Sequence, residues 1–205
     1  KAIHAIDDNI YKKLTNTPSA FTSKVALAVQ QGTAKYAIVV ADYDGYNPKT
    51  LISMSHPITS LVWDKSGKYL SYVTYESGKP VVYVQNIGAG TRYVVANFNG
   101  SNSSPAFTPN SQKLAVTLSK DYGSHIYLVN NQRYTSSSQA IPLLNFGTID
   151  TEADVSNTGK VVFTSDHDGG PQIFMTDLNG SSPMRVTNSL GKYNTTARFS
   201  NDASK

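Results

Sequence analysis

The sequence predicts an all-β chain, a β-propeller of WD40-like four-stranded blades with a short N-terminal helix. Three observations predict it. First, the 205 residues are rich in Ser, Thr, Asn, Gly and Tyr and only 16% charged, a mix that suits short strands joined by polar turns. Second, related stretches recur: Trp63, Phe107, Val155 and Phe199 share one slot, 44, 48 and 44 residues apart, and Tyr83, Tyr127 and Phe174 share another. Third, each repeat holds four short runs of strand character separated by turn residues, which is the content of one propeller blade. One such sheet cannot bury both of its faces, so the units must stack.

The elements follow in order. Ile3, Ile6, Ile10 and Leu14 lie on one face of a helix. Asp7 and Asp8 are expected near its start, and Lys12 and Lys13 near its end, which complements the helix dipole. TNTPS at 15–19 breaks it. Two readings stand for this helix: docked on the propeller, or the last helix of an upstream α/β domain. The second sets the expected division, 1–18 as that helix and a linker, and 19–205 as a partial β-propeller. Strands at 24–29, 36–41 and 49–53 match the second, third and fourth strands of a blade whose first strand is missing.

Three fuller units come next, at 58–87, 102–131 and 150–180. Each has an apolar first strand ending on the anchor, a polar turn (DKSG, TPNS, SNTG), a second strand (69–74, 114–118, 161–164), a Gly-containing turn, a third strand (81–85, 126–129, 173–176) and a weaker fourth strand (92–96, 141–144, 184–187). A further unit opens with YNTTARFS, whose 195–199 is expected to be its first strand. The frame is that of a ring cut from a longer one rather than a closed four-blade ring.

The stretch TSDHDGGPQIF at 164–174 poses the main chemical question. Asp166, His167 and Asp168 could form a metal site or an acid-rich turn. A calcium loop counted from Asp166 needs Gly at its sixth position, where Pro171 stands. The matching slots of the other units hold Glu76-Ser77-Gly78 and Asp121-Tyr122-Gly123, so the turn reading is preferred, with the acids solvated and glycine supplying the positive φ. No metal or cofactor is expected.

Other classes are set aside on similar grounds. The formal charge is +4, but the basic residues are scattered, so no nucleic-acid partner is expected. There is no cysteine, which removes disulfides and thiol chemistry and fits the bacterial periplasm. No run approaches the ~20 apolar residues of a membrane span. The opening KAIHAIDDN is no signal peptide, so any export signal is removed or upstream. There is no G-x-S-x-G elbow, and His4, His56, His125 and His167 fall in different elements without metal-ligand spacing. No enzyme activity is expected. Sequons at Asn99, Asn102, Asn179 and Asn194 read as polar loops.

DYDGYN at 42–47, SYVTYESGKP at 71–80, SPAFTPNSQKLA at 104–115 and FTSDHDGGPQIF at 163–174 carry a family likeness. So do NIYKKLTN at 9–16 and the SAF that follows. On these stretches the chain resembles the TolB family, periplasmic β-propeller proteins of the Tol-Pal system of Gram-negative bacteria. The resemblance implies a six-bladed propeller after an α/β domain, present here as that domain's last helix and about four blades. It implies a non-enzymatic interaction scaffold that binds the peptidoglycan-associated lipoprotein Pal, is peripheral to the outer membrane through Pal, and supports envelope integrity and constriction at division. TolA is engaged through an N-terminal segment not present in this sequence, and bacteriocins exploit some members.

In the family, Pal docks on the face where the innermost strands begin. Carried over by motif, the contact residues are Ser101, Asn102, Ser103 and Ser104 before Phe107, Thr151 and Glu152 before Val155, and Thr195 and Thr196 before Phe199, with Ile58-Thr59-Ser60 as their counterpart before Trp63. His56 lies near the same rim. Ser101 departs from the family, which can carry His at that slot. Trp63, Phe107 and Phe199 are expected in the core. The runner-up functions are the regulatory propeller of a prolyl-oligopeptidase-type peptidase, or a ligand-binding propeller using Tyr43, Tyr46, Tyr75, Tyr122 and Tyr193, whose slots are not equivalent from blade to blade.

Overall fold

The computed structural model describes residues 2–17, 19–120, 122–188, 191–200 and 203. The chain divides into two compact units, Lys1–Ile58 and Thr59–Lys205. Asp121 of the third unit's turn and the last residues of the expected fifth unit lie outside the described residues. Among the described residues, no helix is long and apolar enough to cross a membrane.

The first unit holds α1 (Ala2–Thr15) and an antiparallel three-stranded meander, β1 (Lys24–Gly32), β2 (Lys35–Asp42) and β3 (Lys49–Met54). The helix ends where Asn16 adopts φ 56° and its N–H bonds to the Lys12 carbonyl at 2.9 Å, a left-handed cap that Asn tolerates. Asp7 and Asp8, expected near its start, lie beyond its first turn, so no acid complements the dipole there. Asp8 instead faces the following loop, where it accepts bonds from the Ser19 hydroxyl and from the Phe21 N–H at 3.1 Å. His4, Asp8 and Tyr11 form one working face. His4 Nε2 is 3.3 Å from Asp44 Oδ2, and Tyr11, Phe21, Tyr43 and His4 make a chain of edge-on ring contacts. The other stripe, Ile3, Ile6, Ile10 and Leu14, is exposed. Thus α1 docks on its own sheet through polar and aromatic groups while its apolar stripe stays uncovered. At the end of β2, DYDG is a tight turn: Gly45 (φ 82°) donates to the Asp42 carbonyl, and Asp42 pairs with Lys24.

The second unit is three four-stranded antiparallel meanders. The second sheet holds β4 (Ile58–Trp63), β5 (Tyr69–Thr74), β6 (Val81–Asn86) and β7 (Arg92–Ala96). The third holds β8 (Asn102–Phe107), β9 (Lys113–Leu118), β10 (His125–Asn130) and β11 (Ala140–Pro142). The fourth holds β12 (Asp150–Val155), β13 (Lys160–Ser165), β14 (Gln172–Asp177) and β15 (Met184–Arg185). The middle strands of each sheet are buried nearly throughout, as in KLAVTL and KVVFTS, and the third sheet packs against both the second and the fourth. One apolar cluster, with Val82, Val84, Val95, Phe107, Leu114 and Val116, fills the seam between the second and third sheets. Another, with Ile126, Leu144, Val155, Val161, Phe163 and Phe174, fills the seam between the third and fourth.

Residues 195–199 do not form the expected strand. A strand needs a ladder partner, and none pairs with it among the described residues. It is held by the fourth sheet through side chains: the Thr196 N–H donates to Thr164 Oγ1 at 3.1 Å and the Phe199 N–H to Asp154 Oδ2 at 2.8 Å. Phe107 is buried as expected, whereas Trp63 and Phe199 are only partly covered.

Candidate functional site

The polar runs before the anchors fold alike. Three residues before each anchor the backbone turns left-handed at a non-glycine residue: Ser60 (φ 55°), Ser104 (φ 47°), Glu152 (φ 55°) and Thr196 (φ 60°). In β8 and β12 the strand register slips at this point, between Ser103 and Ala106 and between Thr151 and Asp154. These are bulges, which bend a strand and re-aim its side chains. A non-glycine residue held left-handed costs about 1–3 kcal/mol and persists only where its surroundings hold it. Four recurrences of that strain in one slot mark this end of the sheets.

In three of the four runs a polar residue two positions earlier helps to hold it, whereas the Ser60 run has the buried Ile58 in that slot. Asn102 is fully buried; its Oδ1 accepts the Phe98 N–H at 2.8 Å, and its Nδ2 donates to the carbonyls of Pro80, Phe98 and Gly100 at 3.0–3.3 Å. Asp150 is also fully buried, accepts the N–H groups of Phe146 (2.8 Å) and Gly147 (3.1 Å), and lies 3.3 Å from His125 Nδ1. Asn194 Nδ2 donates to Gln172 Oε1 at 2.9 Å. Asn102 and Asp150 staple the incoming loop to its strand, since a buried amide or carboxylate must be fully bonded, and the half-buried Asn194 makes a similar tie. Sequence reasoning missed Asp150 and Asn194 in this role. The signal was there: they follow Asn102 at the anchors' own spacing.

The other candidates fall as follows. Ser101, Thr195 and Thr196 are exposed, and Ser103, Ser104, Thr151 and Glu152 are half-buried. Asn102, expected to be a contact residue, is fully buried, and both polar atoms of its side chain are bonded to backbone groups. Thr151 Oγ1 lies 3.3 Å from Thr117 Oγ1. Glu152 Oε2 accepts from Thr164 (3.1 Å) and from Thr196 (2.8 Å), so this acid joins the fourth sheet to the segment after it. Arg198 Nη1 donates to the Glu152 carbonyl at 3.3 Å. The rim therefore presents hydroxyls, one carboxylate and one guanidinium. His56 belongs to the first unit, where its Nδ1 is 3.2 Å from Ser55 Oγ.

The acid-rich stretch is a structural turn. Asp166 Oδ1 accepts the N–H groups of Thr148 (2.8 Å) and Ile149 (2.9 Å), His167 stacks on Phe146 at 3.8 Å, and Gly169 has φ 85°. The expectation of solvated acids in these turns is corrected. Asp168 pairs with Arg185 at 3.0 Å, and Glu76 pairs with both Arg92 nitrogens at 3.1 Å. Each acid fastens a turn to the outermost strand of its sheet. Burial disfavours the charged Arg92, but its bonds to Glu76 and Tyr72 outweigh that and hold its pKa above the ordinary value.

This architecture can be set beside known proteins. A family model described as the TolB beta propeller domain matches residues 11–205. The chain belongs to the TolB family. It is 40% identical over 186 residues to the Tol-Pal system protein TolB of Bordetella pertussis, covering 88% of this chain and 40% of the relative. It is 33% identical over 189 residues to the protein of that name from Francisella tularensis subsp. mediasiatica, covering 88% and 42%. The crystal structure of TolB from Acinetobacter baumannii superposes with a TM-score of 0.87 at 33% identity, over 98% of this chain and 50% of that one. The chain thus spans less than half the length of these curated TolB relatives. A puromycin-hydrolyzing peptidase of Mycobacterium tuberculosis shares the fold alone, with a TM-score of 0.58 at 12% identity over 79% of this chain and 26% of that one.

Proposed function

We propose that this chain is the docking part of a non-enzymatic, periplasmic scaffold of the Tol-Pal system, and that the strand-entry rim binds Pal. The observation that carries the reading is the strained polar slot repeated at Ser60, Ser104, Glu152 and Thr196, since strain of this kind collects at functional sites. Membership of the TolB family supports it, as do the names of the relatives, which place them in the Tol-Pal system. The contact set is Ser101, Ser103, Ser104, Thr151, Glu152, Thr195 and Thr196. Asn102 and Asp150 position the rim from beneath. A scaffold needs no reacting group, and Asp150, Asp166 and Glu76 are each spent on loops or ion pairs. Through Pal the protein would sit against the outer membrane and support its integrity and its constriction at division. Residues 1–18 are proposed as the last helix of a preceding domain and its linker, which the uncovered apolar stripe of α1 supports.

The test is calorimetry of the full-length protein with Pal from the same organism, repeated with Ser101→Arg and Thr195→Arg combined. Both side chains are exposed, so folding is expected to survive. At least a tenfold loss of affinity is expected, about 1.4 kcal/mol. An unchanged dissociation constant removes the rim from the interface.

A further inference from the structure

The end of the second unit opposite the strand entries carries the turns that follow the first and third strands. There a cavity of about 550 Å³ opens between the third and fourth sheets. Its floor is Leu128 and Leu178, and its walls include Lys113, Asn110, Thr158 and Gly159. The volume falls in the range of small-ligand sites.

The repeat explains why this seam is open. In the seam between the second and third sheets, the matching positions are Asp64 and Tyr69 on one side and Ser111 and Asn131 on the other. Ser111 donates to Asp64 at 3.0 Å, Tyr69 packs on the apolar cluster, and Asn131 is held by Tyr93 at 2.9 Å and by the Ser111 carbonyl at 2.8 Å. In the open seam those four slots hold Thr108, Lys113, Gly159 and Leu178. The acid and hydroxyl that clasp one seam become a threonine and a glycine. The ring that fills it becomes a lysine, and the bonded amide becomes a leucine whose Cδ1 would lie 3.5 Å from a Cβ placed on Gly159.

Lys113 is the one charged residue in the lining, and its ammonium makes no ion pair among the described residues. A half-buried cation beside an apolar floor, with amides and hydroxyls around it, is complementary to a carboxylate on a short branched apolar stem. We infer that this seam is a second binding site, distinct from the strand-entry rim, for such a carboxylate, supplied either by a small free acid or by the C-terminus of a peptide ending in an aliphatic residue.

The test is a titration of the isotope-labelled full-length protein, followed by amide NMR. The probes are 4-methylpentanoate, acetyl-Leu-Leu with a free C-terminus, and the same dipeptide as its C-terminal amide. The expected result is saturable shifts around Thr108, Lys113 and Gly159 with a dissociation constant at or below about 10 mM, at least tenfold weaker for the amide. Saturation by both acids indicates a small-acid site, and saturation by the dipeptide alone a peptide terminus. Lys113→Gln should weaken binding at least tenfold. Lys113→Tyr, the second sheet's own residue in this slot, should abolish it. No saturable shift with either acid, equal binding of the amide, or binding unchanged in Lys113→Gln overturns the assignment.

Discussion

The two seams of the second unit share one backbone plan and differ at their turn ends. Between the second and third sheets the turn end is locked by Asp64, Ser111, Tyr93 and Asn131. Between the third and fourth it is propped open over Leu128 and Leu178. The difference teaches that an apolar cluster packs the sheets together in both seams, with or without a clasp at the turn end. The polar clasp is an addition that a repeat can keep or give up. Where it is given up, space for a ligand appears.

The largest effect is expected from breaking the locked seam at Asp64. This carboxylate is 3% exposed and accepts bonds from the Ser66 N–H and hydroxyl, the Tyr69 N–H and the Ser111 hydroxyl. Asp64→Ala should cost about 2–3 kcal/mol, because it strands several donors. At the matching slot Thr108→Ala should cost about 1 kcal/mol, since Thr108 Oγ1 bonds only within its own turn. Urea unfolding of the two variants checks the ordering, and equal losses would remove the distinction between the seams.

The seams should also respond differently to acid. Burial opposes ionisation of Asp64, but bonds from Ser66, Tyr69 and Ser111 outweigh it and hold its carboxyl below the ordinary value of 3.8. A group with a lowered native pKa stabilises the fold above its unfolded pKa of about 3.9 and loses that contribution as pH falls through the native value. Stability carried by Asp64 should therefore be complete at neutral pH and fade below about pH 4. Asp64→Asn should flatten this part of the stability-pH curve, measured by thermal unfolding from neutral to acid. A curve of unchanged shape would show that the clasp is not what titrates.

Smaller effects refine the picture. Tyr93→Phe removes the bond to Asn131 and should cost about 1 kcal/mol. Lys113→Tyr should close the open seam and change stability least, by about 0.5 kcal/mol in the stabilising direction, through added apolar burial. Differential scanning calorimetry reads both, and a large loss in Lys113→Tyr would mean that the lysine supports the fold.

Much of this was legible in the residues. Anchor spacing placed all three fuller sheets, and alternation and turn chemistry bounded their strands to within a residue or two, as at β5 (Tyr69–Thr74). The weak outer strands β11 and β15 were expected to be longer, because their apolar residues suggest pairing that the backbone does not extend. Residues 195–199 read as a strand from pattern alone, but pairing depends on a partner that local sequence cannot supply. At the rim, the polar runs were visible as motifs. The left-handed turns within them were not, because Ser, Glu and Thr carry no signal for positive φ. Nor was the division of labour between exposed Ser101 and buried Asn102, since adjacent residues of a strand point to opposite sides.

The central proposal is that the strand-entry rim binds Pal, and mapping the contact tests it most directly. Cross-saturation NMR of the labelled full-length protein with unlabelled Pal would map the contact. The account predicts attenuation at Ser101, Ser103, Thr151 and Thr195, with Thr108, Lys113 and Gly159 at the opposite end unaffected. Attenuation at that opposite end with the rim silent would contradict it.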